Sequence, residues 1–267
     1  MIKRLFIVSM IVLLAFRWSP IATAITIVSP STNQSVEGNS NNIFLFDIAP
    51  PGFVSQRYEQ VYGESDFGSS PLLITGLAFR PDGTFGAAFL TTLGNVSIFL
   101  MTTTTAPDAL SPIFANNEGA DKTLVHSGSL SLSSADIGPA GGPKAFDIII
   151  DLTTSFLYNP ASGNLLLEVQ NFSGSSTTVF DAENTFGDPV SRVVTLNVNG
   201  ANDTTGNTDT LGLVTEFLVA PVISEPPSIA LFGSAALVFA AMRRRRRILP
   251  LMGRARVGLR PSGADLR

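Results

Sequence analysis

Between residues 25 and 220 the chain never sustains a helical hydrophobic period, and this absence limits its fold more than any other feature of the 267 residues. Short apolar or alternating runs recur instead: Asn42 to Ile48, Leu72 to Phe79, Phe85 to Leu90, Val96 to Thr102, Lys144 to Leu152, Leu165 to Gln170, Arg192 to Val198 and Leu213 to Val219. Clusters of Gly, Pro, Asn, Asp and Ser separate them, which is the pattern of strands closed by turns. Thr, Ser, Phe and Val are abundant, and Thr, Phe and Val favour extended backbone because their side chains fit a pleated, half-buried surface. Pro81-Asp82-Gly83 reads as a tight hairpin turn and Asn159 to Asn164 as a longer one. The spacings are irregular, which excludes a propeller or a solenoid. The expectation is one all-β domain over 25–220, an antiparallel β-sandwich of jelly-roll-like form. With no cysteine in the chain, no disulfide can brace it, so the domain must supply its own core.

The two ends read differently. Lys3 and Arg4 precede an apolar run from Leu5 to Phe16, and Ala22-Thr23-Ala24 offers small residues before a cut at Ile25. This is the pattern of a secretory signal helix over 1–24, with an uncleaved signal anchor as the alternative, since Arg17 and Trp18 interrupt the run. Near the other end, Ser224, Glu225, Pro226, Pro227 and Ser228 lead into the uncharged segment Ile229 to Met242, followed by Arg243, Arg244, Arg245, Arg246 and Arg247. The prolines block an earlier helix start. The apolar run predicts a single membrane helix over 229–242 that reaches about 21 Å against a hydrocarbon core of about 30 Å. It would have to thin the bilayer, snorkel its arginines or recruit Val219 to Ile223 to span. An arginine block after an apolar segment holds that end in the cytoplasm and leaves the preceding domain outside.

A Glu-Pro motif, a short apolar helix and an arginine cluster, in that order over residues 224 to 247, resemble the PEP-CTERM sorting signal of Gram-negative bacteria. The pattern departs at Ser224, where the family has its first proline, and in the basic tail 248–267, read as disordered, where such chains normally stop. The resemblance implies that an exosortase-type enzyme recognises 221–247, with 224–228 as the sorting motif, 229–242 as a transient inner-membrane anchor and Arg243 to Arg247 as the stop-transfer block. It implies delivery to the cell surface or the extracellular medium, in a matrix setting with exopolysaccharide as a candidate partner. An ordinary tail anchor with a basic flank is the alternative. Arg57 to Tyr62 with Leu73 to Arg80, and Phe156 to Pro160 with Gly163 to Leu167, are similar to exported β-sandwich proteins that end in such signals. That similarity implies architecture and no activity.

Without the two end segments the charge balance changes. From Ile25 to Ser224 there are five basic residues and 19 acidic ones, a net of −14, against −4 for the whole chain. A surface this acidic argues against nucleic acid or anionic lipid as partners, because both require basic groups to displace counterions. It leaves divalent cations open. The segment Asn199 to Asp209 gathers hard oxygen donors, with Asn202, Asp203, Asn207 and Asp209 as candidate calcium ligands, although it lacks the spaced ligands and closing Glu of an EF-hand. A polar turn is the other reading, and Asp181 to Asp188 has the same ambiguity.

Catalytic signals are sparse. His126 is the only histidine, so His/Cys zinc sets cannot be assembled. Ser127 beside it points to the opposite face of a strand, and no nucleophile elbow accompanies the pair; a solvent-exposed loop or edge position is expected. Alternation puts Asp147, Ile149 and Asp151 on one face and Ile148, Ile150 and Leu152 on the other. The two aspartates are then about 13 Å apart, beyond the roughly 5–9.5 Å of a glycosidase pair, so a solvated face is expected. Glu168 could face the same surface. Tyr58 and Tyr62 near Arg57 are candidate ligand-binding residues, or anchors of a strand against the core. Together these residues lead to a non-enzymatic exported surface or matrix protein without a cofactor. A carbohydrate-binding module of the same fold, or a secreted glycan or ester hydrolase, is the alternative.

Overall fold

The computed structural model describes residues 25–47, 55–174, 176–195, 200–220 and 222, which form thirteen strands and, among them, no α-helix. In chain order these are β1 (Ile25–Ser29), β2 (Ser40–Asn42), β3 (Gln56–Tyr62), β4 (Leu72–Phe79), β5 (Phe89–Thr103), β6 (Thr123–Ser134), β7 (Ile148–Tyr158), β8 (Asn164–Asn171), β9 (Phe180–Asn184), β10 (Val190–Val194), β11 (Asn207–Asp209), β12 (Leu211–Leu213) and β13 (Thr215–Ala220). A four-stranded sheet runs β1-β13-β4-β7, a six-stranded sheet β11-β10-β3-β8-β5-β6, and a small third sheet β12-β9-β2. All pairs are antiparallel. The all-β expectation holds, in a layered, sandwich-like arrangement.

Period-2 alternation explains the layers. In β7, Ile148 and Ile150 are buried while Ile149 and Asp151 are exposed; in β3, Tyr58 and Tyr62 point inward. The four-stranded sheet contributes Ile74, Leu77, Ile150 and Phe217 to the same core cluster that receives Tyr62, Ile98, Leu167 and Val169 from the six-stranded sheet. Tyr62 and Phe217 meet edge-to-face across this interior with centroids 5.0 Å apart, a favourable geometry for aromatic quadrupoles. At one margin Thr153 Oγ1 of β7 donates to Val125 O of β6 at 2.8 Å. Near the other, the Gln60 amide donates to Leu213 O at 2.9 Å and accepts from Leu213 N at 2.8 Å, so a side chain stands in for a backbone pair.

A second, smaller apolar layer lies on the outer face of the six-stranded sheet. Val61, Met101, Leu166 and Val193 are buried there beneath Leu110 and Phe114, which belong to the connection 104–122 between β5 and β6. That connection far exceeds the ~2–5 residues that join hairpin strands, and it serves as a cover.

The structure corrects several local expectations. Phe85 to Leu90 is extended only from Phe89, and with Val96 to Thr102 it belongs to one fifteen-residue strand, β5, in which register shifts at Leu93/Val96 and Ile98/Phe99 absorb the irregular pattern. Pro81-Asp82-Gly83 is a turn, with Asp82 Oδ1 accepting from Thr84 N and Phe85 N, but it carries the chain from one sheet to the other instead of closing a hairpin. Asn42 to Ile48 is extended only up to Asn42, since 44–46 form a turn. The expected signal helix at 1–24, the motif 224–228, the membrane helix 229–242, the arginines 243–247 and the tail 248–267 lie outside the described residues. Among the described residues no helix is long and apolar enough to cross a membrane.

Candidate functional site

The outer face of the six-stranded sheet holds a cluster of five charged side chains, two basic and three acidic. Residues 57, 59 and 61 of β3 alternate with the inward tyrosines, and residues 166, 168 and 170 of β8 share their face. The antiparallel register sets Glu59 directly opposite Glu168, Arg57 opposite Gln170 and Val61 opposite Leu166. Both glutamates are fully buried, and cross-strand like charges repel. The cover contributes Asn117, Glu118 and Lys122. Arg57 Nη2 pairs with Glu118 Oε1 at 2.7 Å and Glu168 Oε1 at 2.9 Å, Lys122 Nζ pairs with Glu118 and Glu168, and Gln170 Nε2 donates to Glu168 Oε1 at 2.7 Å. Arg57 also lies over the Phe114 ring at 4.4 Å and Lys122 over the Phe99 ring at 4.6 Å, so both cations are held by apolar and carboxylate partners at once.

Glu59 has no share in these ion pairs. Its Oε2 accepts from Asn117 Nδ2 at 3.0 Å, and its Oε1 makes no hydrogen bond. Burial is the largest reason its pKa is pushed up to about 8; Glu168 and Glu118 add to the rise, while Asn117 and Arg57 oppose it. At neutral pH Glu59 therefore holds a proton beside the cation-paired Glu168. A protonated carboxyl beside a cation-paired one is the raw material of acid/base catalysis. Here, however, the cover closes over them, and neither groove described for the domain includes Glu59 or Glu168.

A second trio sits where the turn after β4 meets β9. Arg80, 1% exposed, donates from Nε to Asp181 Oδ2 at 2.7 Å, and from Nη2 to Asn33 O at 2.9 Å and Val36 O at 2.7 Å. Glu37 Oε1 accepts from Gly83 N at 2.6 Å and Asp181 Oδ1 from Gly38 N at 2.9 Å. Burial raises the Asp181 pKa to about 6 despite Arg80, and Glu37 assists. Glu37, Asp82 and Asp181 form one group of metal-competent side chains among the described residues, and Glu59, Glu118 and Glu168 the other. Their oxygens would suit a hard cation, but side-chain cations already occupy that role: one guanidinium beside Asp181, a guanidinium and an ammonium beside Glu168.

The larger groove, of about 560 Å³, is lined by Ser31, Glu64, Asp66, Asp108, Asn164 and Asp188 among others, and no basic side chain lines it. Asp108 adopts φ 61°, and its Oδ2 accepts from Gly187 N at 2.7 Å. Burial is the main cause that lifts the Asp188 pKa to about 6, with Glu183 and Asp108 adding to it.

The residues singled out from the sequence fall elsewhere. Tyr58 and Tyr62 are fully buried. Tyr58 Oη donates to Gln60 Oε1 at 2.6 Å and Tyr62 Oη lies 2.9 Å from Thr215 Oγ1, so both serve as core anchors and offer no stacking surface to a ligand. Burial raises the pKa of each phenol well above its usual value. The candidate calcium ligands divide: both oxygens of Asp209 accept from Arg192 at 2.8 Å, the main-chain carbonyl of Asp203 accepts from Arg57 Nη1 at 3.1 Å, Asn207 is exposed opposite Val194 in the β10–β11 pair, and Asn202 ends a short 3-10 turn. Neither aspartate joins a carboxylate trio. In 181–188 Asp181 turns inward to Arg80, while Asp188 caps its own loop by accepting from Val190 N and Thr185 N.

Asp151 is exposed and Asp147 accepts from Ser134 Oγ and Ala135 N, in keeping with a solvated face. Glu168 does not join them, because it lies on the other sheet and is buried. His126 is on the edge strand β6 as expected, but only 9% exposed. The sequence reading missed the Glu59 cluster. Its available signal was Glu168, an acid set within Leu165-Leu166-Leu167 and Val169. In comparisons with known proteins the chain matches no family model, no curated protein and no solved structure.

Proposed function

We propose that the chain is a non-enzymatic exported surface or extracellular-matrix protein, an acidic jelly-roll-like sandwich sorted by an exosortase-type system through residues 224–247. The observation that carries this reading is the pairing of β1 with β13, in which Ile25 lies opposite Val219. The first and last strands of the domain run side by side in opposite directions, so the leader and the sorting segment join the domain at the same end of one sheet. A domain built this way can be tethered and then released from one pole without any strand being disturbed. Its charge fits presentation in solution: each of the five basic residues of the domain forms an ion pair within it, leaving an acidic exterior.

Intact mass spectrometry of the protein from envelope and medium, in cells with and without the sorting enzyme, tests the reading. A species running from about Ile25 to about Glu225, formed only when the enzyme is present, is expected. A species retaining Arg243 to Arg247 in the membrane of both strains would mean a permanent tail anchor.

Glycan binding is the second reading, and the 560 Å³ groove favours it over the buried tyrosines. Its hydroxyl, amide and carboxylate lining can hydrogen-bond a sugar, although no aromatic ring lines it for stacking. Pull-down on acidic and neutral polysaccharides should then fail in Asp108→Ala and persist in Tyr58→Phe.

A further inference from the structure

Residues 104–122 cover the outer face of the six-stranded sheet by two kinds of contact. One is apolar: Leu110 and Phe114 against Val61, Met101, Leu166 and Val193. The other is the charge cluster, in which the cover supplies Asn117, Glu118 and Lys122 and the sheet supplies Arg57, Glu59 and Glu168. Glu59 is faced by Glu168 across the β3–β8 pair and by uncharged Val193 across the β10–β3 pair, by Arg57 on its own strand, and by Asn117, Glu118 and Lys122 from above. With Glu59 protonated, two carboxylates face two cations and the cluster is balanced. Ionised, it holds three carboxylates against two cations, and the surplus charge falls on Glu59 Oε1, a fully buried atom without a hydrogen bond.

We propose that residues 104–122 are a proton-latched cover: the segment stays closed while Glu59 is neutral and is released when Glu59 ionises against Glu168 and Glu118. Lifting the cover hydrates Glu59 and separates it from Glu118 while leaving the ladder between β3 and β8 intact. The apolar residues Val61, Met101, Leu166 and Val193 then become accessible, so the exterior of the domain changes character with pH. A hydrated Glu59 ionises near the ordinary glutamate value of about 4.3 and the covered one at about 8, so the closed cover is favoured most in acid and loses that advantage progressively as pH rises to about 8.

Hydrogen exchange read by mass spectrometry on the full domain, from pH about 6 to about 9 and corrected for intrinsic exchange rates, tests the latch. Protection of peptides within 104–122 should fall by roughly tenfold or more across this range, while β4 and β7 keep theirs. Glu59→Gln should hold the cover closed throughout. Glu59→Met, uncharged and of similar volume, should do the same and carries the test if Glu59→Gln does not fold. Identical pH profiles in wild type and variant would overturn the proposal, as would a loss of protection spread equally over β4 and β7.

Discussion

The two buried carboxylate trios differ in how they are balanced. Around Asp181 one guanidinium, 1% exposed, must serve a carboxylate and two main-chain carbonyls. Around Glu168 two partly exposed cations share one buried and one half-buried carboxylate, and the third acid, Glu59, is balanced by a proton. The first arrangement depends on a single side chain and the second is distributed. A buried charge is tolerated in either way, but the two should respond differently when one partner is removed.

The largest effect should come from breaking the single-cation cluster. Arg80→Met removes the cation that opposes the burial of Asp181 and leaves its carboxyl and two carbonyls without their donor, and should cost about 3–5 kcal/mol in thermal or denaturant unfolding, while adding Asp181→Leu recovers only the share due to the carboxyl, because both carbonyls and Gly38 N stay unpartnered. Arg57→Met should cost clearly less, because Lys122 still pairs with Glu168. Equal losses at the two positions would erase the distinction.

A pH series sharpens the comparison. Glu59, Asp181 and Asp188 all have folded pKa values above their unfolded ones, from 4.5 to about 8 for the first and from 3.8 to about 6 for the other two. An acid raised in this way takes up a proton on folding, so its stabilising share is full below the unfolded value and is lost as pH climbs through the folded one. The melting temperature should therefore fall as pH rises from about 4, with all three groups contributing up to about 6 and Glu59 alone up to about 8. Glu59→Gln should flatten the upper part of that fall and leave the lower part. A wild-type melting temperature that rises over this whole range would contradict the burial argument.

The smallest effect is expected from a neutral contact distant from either trio. Tyr62→Phe removes the bond to Thr215, whose hydroxyl still donates to Leu213 O at 3.1 Å, and should cost about 1 kcal/mol. A loss as large as that of Arg80→Met would mean that buried charge weighs no more on this fold than an ordinary neutral hydrogen bond.

Much of the sheet was legible before any coordinates. Leu72 to Phe79 matches β4 residue for residue, Leu165 to Gln170 lies inside β8, and the alternation through Ile148 to Asp151 is observed. β3 escaped because Gln56, Glu59 and Gln60 are polar yet buried, held by partners that local pattern cannot reveal. β6 escaped for another reason: its serines alternate with buried Val125, Leu130 and Leu132, a period-2 signal that was present and overlooked. The charge clusters were legible only as far as Glu168, an acid set within an apolar strand. Glu59, Glu118 and Glu168, like Glu37, Asp82 and Asp181, are brought together only by strand register and sheet crossings, and no sequence spacing encodes them. Tyr58 and Tyr62 proved to be the core anchors that were one of their two readings; an even spacing along a strand puts both on one face, and does not say whether that face is core or surface.

The most direct measurement is the carboxyl carbon shift of Glu59, followed by NMR on the folded domain labelled at glutamate, from pH about 4 to about 9. A single titration near pH 8 that disappears in Glu59→Gln is the predicted result. A midpoint near the ordinary glutamate value of about 4.3 would contradict it, because Glu59 would then be charged at neutral pH and the proton could not be what balances the cluster.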